Sequence, residues 1–192
     1  PDAERTMVTF LGIAGKINEQ DIDKKAVQES EIIFLEGYLW DKGVPKSAFD
    51  KAISLSNAKA MSLSDQFCVE RHKVDFLHLV KNKLDITFAN EQEIKSLIKA
   101  KSFGDVIEFG KQLGKILVVT RGGQGSVAIK NQKVVECQSK PNLEIVDLTG
   151  AGDLFAAGFL HGFINKLSIK ESLEKGTIMS SMIIQKIGAR LD

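Results

Sequence analysis

Asp147-Leu148-Thr149-Gly150-Ala151-Gly152-Asp153, followed at once by the apolar run 154–164, is the stretch on which the fold turns. Residues 143–146 ahead of it read as a strand and 152–165 as a helix, so three small residues and a carboxylate fall where one gives way to the other. Backbone amides at a helix start can hold a phosphate, and glycine lets a bulky anion approach the backbone. A carboxylate in an anion site repels the anion unless it has work to do beside it, and accepting a proton from a hydroxyl nucleophile is such work. The same residues also read as a strand, a glycine turn and a buried helix, with Asp153 a first-turn acid favoured by the helix dipole.

Outward from this point, β-rich runs alternate with helical ones, the pattern of an α/β fold with a mostly parallel sheet. Strands are expected at 6–11, 31–35, 60–63, 84–89, 116–120, 126–130 and 133–137. Helices are expected at 21–28, 45–58, 66–81, 91–100, 103–113 and 169–187. The three strands after 116 are close enough together for the sheet to gain antiparallel members. With three prolines, no low-complexity segment and no repeat, the chain is not divided into domains.

Three motifs in order resemble the ribokinase-like, or PfkB, family of carbohydrate and nucleoside kinases. Residues 146–159 are similar to its second signature, usually Asp-Thr-x-Gly-Ala-Gly-Asp, with Leu148 in place of a common threonine. Phe88-Ala89-Asn90-Glu91-Gln92-Glu93 resembles its Asn-x-x-Glu motif, and residues 118–125 resemble the strand and loop that hold the nucleotide. Residues 1–7 and 35–41 look most like the bacterial adenosine kinase and sugar kinase branch.

The resemblance implies a three-layer α/β/α fold and transfer of the γ-phosphate of ATP to a hydroxymethyl group. Adenosine is the preferred acceptor, with ribose, fructose or 2-keto-3-deoxygluconate as alternatives. Asp153 would be the general base, and Gly150, Ala151 and Gly152 the anion loop. Thr120, Arg121, Gly122 and Gly125 would line the ATP ribose and phosphates. Asn90 and Glu93 would serve the nucleotide, Glu93 through a water on Mg²⁺, and Asp147 and Thr149 would help bind K⁺. Family members are usually longer, and this chain starts at Pro1. It is therefore expected to be the C-terminal portion, residues 1–192, of such a kinase domain, with 1–11 a remnant of the connection between lid and sheet. The first strands, a diglycine signature and most of the lid are expected to be missing.

Each motif also has a plainer reading. Asn90 with Glu93 three residues on is a capping-box pattern that explains itself as a helix start. Gly122 and Gly125 suit a hairpin turn. Asp65, Arg71 and His72 follow a strand at what would be the carboxyl edge of the sheet, where open α/β folds bind ligands, and there Arg71 could reach a phosphate. They equally suit a solvated helix face. Trp40 and Tyr38 read as core or wall residues. No Walker loop occurs, nor a dinucleotide fingerprint opening a helix, so a hydride-transferring enzyme is set aside.

Charge is balanced, 26 basic against 25 acidic residues, which implies neither a nucleic-acid partner nor a membrane surface. Cys68 and Cys137 have no metal-ligand spacing, and a reducing cytoplasm is the expected setting. The expected partners are ATP and a nucleoside or sugar, with a homodimer or a separately encoded N-terminal fragment as protein partner. The competing reading is a truncated, non-catalytic nucleotide-binding remnant, or one half of a split kinase.

Overall fold

The computed structural model describes residues 8–40 and 44–191. Its strands are β1 (Ile33–Glu36), β2 (Lys59–Ser62), β3 (Ile86–Asn90), β4 (Ile116–Thr120), β5 (Ser126–Lys130) and β6 (Lys133–Cys137). Its helices are α1 (Lys24–Glu29), α2 (Pro45–Leu55), α3 (Gln66–Arg71), α4 (Lys73–Asn82), α5 (Glu91–Ile98), α6 (Phe103–Leu113), α7 (Ala151–Ile164) and α8 (Ile169–Ile183). The strands form one sheet in the order β1-β2-β3-β4-β5-β6.

β1–β2 and β2–β3 pair in parallel, with Glu36 opposite Ser62 and Ser62 opposite Phe88. Their crossovers are helical, as parallel pairing requires. β5 and β6 are neighbours joined by Asn131 and Gln132 alone, a link that only an antiparallel hairpin can use. Asn131 takes the turn in the left-handed region, φ 55°.

The sheet is apolar because it is buried: Met61, Ile86, Leu117, Val118, Val119 and Ile129 are all inaccessible to solvent or nearly so. Packing divides the chain into two compact units. One holds Thr9–Val118 with Ile129–Lys133, and the other holds Val119–Ala128 and the residues from Val134 onward. In the first, Trp40 stands edge-on to Phe49 and Phe76 at 5.4 and 6.1 Å between ring centres, a core residue. In the second, α7 and α8 touch backbone to backbone. A methyl on Gly158 would lie 2.6 Å from the Lys175 carbonyl oxygen, and one on Gly176 would lie 2.8 Å from that of Phe155.

The sequence expectations fail at three places. Residues 143–146 form no strand; the amides of Val146 and Asp147 instead donate to the carbonyl of Ile184 just past α8, at 2.8 and 3.3 Å. Residues 66–81 form two helices, broken at His72 with φ −113° and ψ 24°. Of the strand expected at 6–11, residues 6 and 7 lie outside the described residues, and Val8 to Leu11 are irregular and exposed.

Candidate active site

In the unit carrying α7, the glycine-rich corner ahead of the helix is tightly folded. Oδ1 of Asp147 accepts the amide of Thr149 at 2.8 Å and its hydroxyl at 2.7 Å, which folds the chain tightly before the helix. Oδ2 accepts the amide of Gly188 at 2.9 Å. Gly150 then turns with φ 80°, a conformation costly for any residue with a side chain, and stands as N-cap of α7 with no side chain capping the helix. The Ala151 amide donates to Leu148, but among the described residues no acceptor is present for the amides of Gly152 and Asp153. A methyl on Gly152 would meet nothing within 4 Å, so the approach to these donors is open.

Asp153 is exposed in the first turn of α7, where the positive end of the helix dipole favours a carboxylate. Its carboxylate and the free amides of Gly152 and Asp153 lie on one helix end. An anion and a proton acceptor can therefore meet there.

The loop after β4 belongs to the same unit. Thr120 ends the strand, and the Arg121 amide donates to the Gly125 carbonyl at 2.8 Å, closing a short turn over Gly122–Gln124. Gly125 is dictated by space: its φ is 87°, and a methyl there would lie 2.1 Å from the Cys137 carbonyl oxygen. Gly122 and Gly123 have nothing above them within 4 Å, and the Ser139 hydroxyl donates to the Gly123 carbonyl at 2.7 Å. The hairpin reading is therefore correct for this loop, and its backbone is open at Gly122 and Gly123.

Asn90 and Glu93 lie in the other unit, at the end of β3 and the start of α5. The capping box is complete: Oδ1 of Asn90 accepts the Glu93 amide, and Oε2 of Glu93 accepts the Asn90 amide, each at 2.8 Å. Glu93 is only 5% exposed, unusual for a capping acid. Burial pushes its carboxyl up to about 7; the Asn90 amide pulls the other way, and the nearby Asp65 and Glu36 carboxylates push it further up. A half-charged carboxyl among other carboxylates suits a cation nearby. Among the described residues no three acidic, histidine or cysteine side chains are grouped as direct metal ligands. The donor set therefore fits a hydrated Mg²⁺ better than a closed protein cage.

Asp65 is expected from the sequence at the carboxyl edge of the sheet and Tyr38 as a core or wall residue, but not that their segments meet beside Glu93. The Ser64 hydroxyl donates to the Glu36 carboxylate and accepts the Tyr38 amide, while its carbonyl accepts the Tyr38 hydroxyl at 3.3 Å. Burial first, then the Asp65 carboxylate, raises the Tyr38 phenol above the ordinary tyrosine range. Asp65 caps α3 through the Cys68 amide at 2.6 Å. The Glu36-Gly37-Tyr38 and Ser62-Leu63-Ser64-Asp65 segments were legible only as separate strand ends. Gly188 and Ala189, which support the Asp147–Gly150 corner, carried no motif at all.

The profile of the pfkB family of carbohydrate kinases matches residues 1–192. An uncharacterized sugar kinase of Archaeoglobus fulgidus is 28% identical over 193 residues, covering 97% of this chain and 74% of that protein. The crystal structure of adenosine kinase from Sinorhizobium meliloti superposes with a TM-score of 0.89 at 34% identity, over 92% of this chain and 56% of that one. A putative ribokinase II from E. coli in complex with ATP and Mg²⁺ superposes with a TM-score of 0.82 at 20% identity, over 91% of this chain and 59% of that one. The last likeness is one of fold. The chain thus spans little more than half the length of these two solved relatives.

Proposed function

Because the chain belongs to the pfkB family of carbohydrate kinases, we propose that it is the phosphoryl-transfer portion, residues 1–192, of an ATP-dependent kinase acting on the hydroxymethyl group of a nucleoside or sugar. The observation that carries this is the start of α7, where two unoccupied amides and an exposed carboxylate share one helix end. Adenosine is the preferred acceptor, supported by the likeness to the Sinorhizobium meliloti enzyme. Ribose and fructose are the alternatives.

Phosphoryl transfer asks the protein for positioning and charge neutralisation more than for covalent chemistry. The amides of Gly152 and Asp153 face the charge that builds on the transferred phosphate, and the glycines of 150–152 admit it. Asp153 removes the proton of the acceptor hydroxyl as its oxygen bonds to the γ-phosphorus. The bond from that phosphorus to the bridging oxygen breaks, and ADP leaves. Thr120, Arg121 and Gly122 hold the nucleotide, and Gly125, packed against the Cys137 carbonyl, shapes the turn that presents them. Bound with ATP, Mg²⁺ neutralises phosphate charge; Glu93 would hold it through a water, with Asn90 fixing that carboxylate. K⁺ at Asp147 and Thr149 is part of the proposal, with Asp147 already the tie that shapes the corner.

The test is ADP release from MgATP by the purified chain, offered adenosine and a panel of sugars, in K⁺ and in its absence. Acceptor-dependent release that Asp153→Asn abolishes supports the kinase. ATP bound in calorimetry with no release under any acceptor supports the second reading, a nucleotide-binding remnant or half of a split kinase.

A further inference from the structure

The segment that follows α8 returns to the anion cradle and is fastened to it. The Ile184 carbonyl accepts the amides of Val146 and Asp147, and the Gly188 amide donates to Oδ2 of Asp147 at 2.9 Å. Ala189 packs directly on the turn: a methyl on Gly150 would come within 3.0 Å of its Cβ and 3.1 Å of its Cα. These contacts leave residue 190 little freedom of backbone position beside the start of α7. That residue is an arginine.

Arg190 is exposed, and among the described residues no hydrogen bond or ion pair engages its guanidinium. Arg121, the cation of the nucleotide loop, is by contrast already engaged within the protein. The cradle itself offers only amides, and beside them stands the negative charge of Asp153. A triphosphate settling there needs a counter-charge from a side chain. A guanidinium provides it in the fork geometry that matches two phosphate oxygens.

We propose that Arg190, delivered by the segment pinned between Ile184 and Ala189, is a phosphate-binding residue for the nucleotide held at the start of α7. This rests on the kinase reading above and adds to it a cation that no motif marks.

The experiment measures the Kd of ATP by calorimetry, at fixed salt and Mg²⁺, for the parent chain, Arg190→Gln and Arg190→Lys, with Tm taken alongside. The expected result is a Kd raised about tenfold or more in Arg190→Gln, as for loss of one charge-assisted bond. Partial recovery is expected in Arg190→Lys, and no change in Tm. An Arg190→Gln chain that binds ATP within twofold of the parent overturns the proposal. So does a weakened Kd accompanied by a fall in Tm, which would make Arg190 a structural tie. A parent chain that binds ATP but releases no ADP leaves the Kd comparison decisive for Arg190 while counting against turnover. A parent chain that binds no ATP overturns both readings.

Discussion

Oε2 of Glu93 accepts the amide of Asn90, and Oδ1 of Asn90 accepts the amide of Glu93, each at 2.8 Å, in a box whose acid is buried although its asparagine is exposed. An exposed box of this kind serves the helix alone. Here burial and the Glu36 and Asp65 carboxylates keep a proton on Glu93 up to about pH 7, against an ordinary value of 4.5.

The folded chain therefore binds that proton more tightly than the unfolded chain does. The resulting stabilisation is fully present below about pH 4.5 and is lost as pH rises through 7. It amounts to roughly 3 kcal/mol across that window. Glu93→Gln, which keeps an acceptor for the Asn90 amide, is expected to flatten this slope. Urea midpoints at pH 5 and pH 8 for both chains check it, and parallel slopes would refute the account.

Asp153→Asn is expected to lower kcat by about 10²–10⁴ while ATP binds within a few-fold of the parent, since a general base contributes that much and the amides remain. Steady-state ADP release and calorimetry measure the two quantities. Near-normal kcat in the Asn chain would remove Asp153 from the mechanism.

Gly152 and Gly158 separate ligand space from packing space on a single helix. Gly152→Ala meets nothing in the fold and is expected to leave stability unchanged or raised by about 0.5–1 kcal/mol, yet to weaken ATP binding because the methyl stands where phosphate must approach. Gly158→Ala drives a methyl against the Lys175 backbone and is expected to cost about 1–3 kcal/mol. Thermal melts and ATP titrations of the two variants should move in opposite columns.

Ser126 is 2% exposed at the start of β5, and among the described residues its hydroxyl has no hydrogen-bond partner. Removing an unpaired buried hydroxyl relieves a desolvation cost, so Ser126→Ala is expected to be neutral or stabilising by about 1 kcal/mol. A clear drop in Tm would show that the hydroxyl is paired in solution.

The legible parts of this fold are those where local and tertiary signals agree. β4, β5 and β6 have the bounds expected of them because short apolar runs, buried in β4 and β5 and half-buried in β6, are cut by turn residues on both sides. α6 and the start of α8 follow from serine capping boxes at Ser102 and Ser168. The misses are tertiary in origin. Residues 143–146 have strand-like composition, but Ile145 and Val146 are 54% and 41% exposed, and the amides of Val146 and Asp147 are claimed by Ile184. The break at His72 has no glycine or proline to announce it. The turn at the start of α7 was legible from its glycines, whereas its supports at Gly188 and Ala189 were not, because the contact spans about 40 residues and uses backbone and a methyl group.

Where Gly158, Gly162 and Gly176 bring α7 and α8 together, main chain rests on main chain. A methyl on any of the three would meet backbone atoms of the facing helix within 3.0 Å, with the Ser172 hydroxyl and the Phe155 ring beside Gly162 and Gly176. A substitution that adds volume at Gly176 in α8 therefore meets the main chain of α7, the helix whose first turn carries Asp153. Distance from Asp153 is accordingly a poor guide to how damaging a substitution in this hairpin will be; random mutagenesis should find inactive chains whose lesions fall on the small-residue seam, as far along the sequence as Gly176.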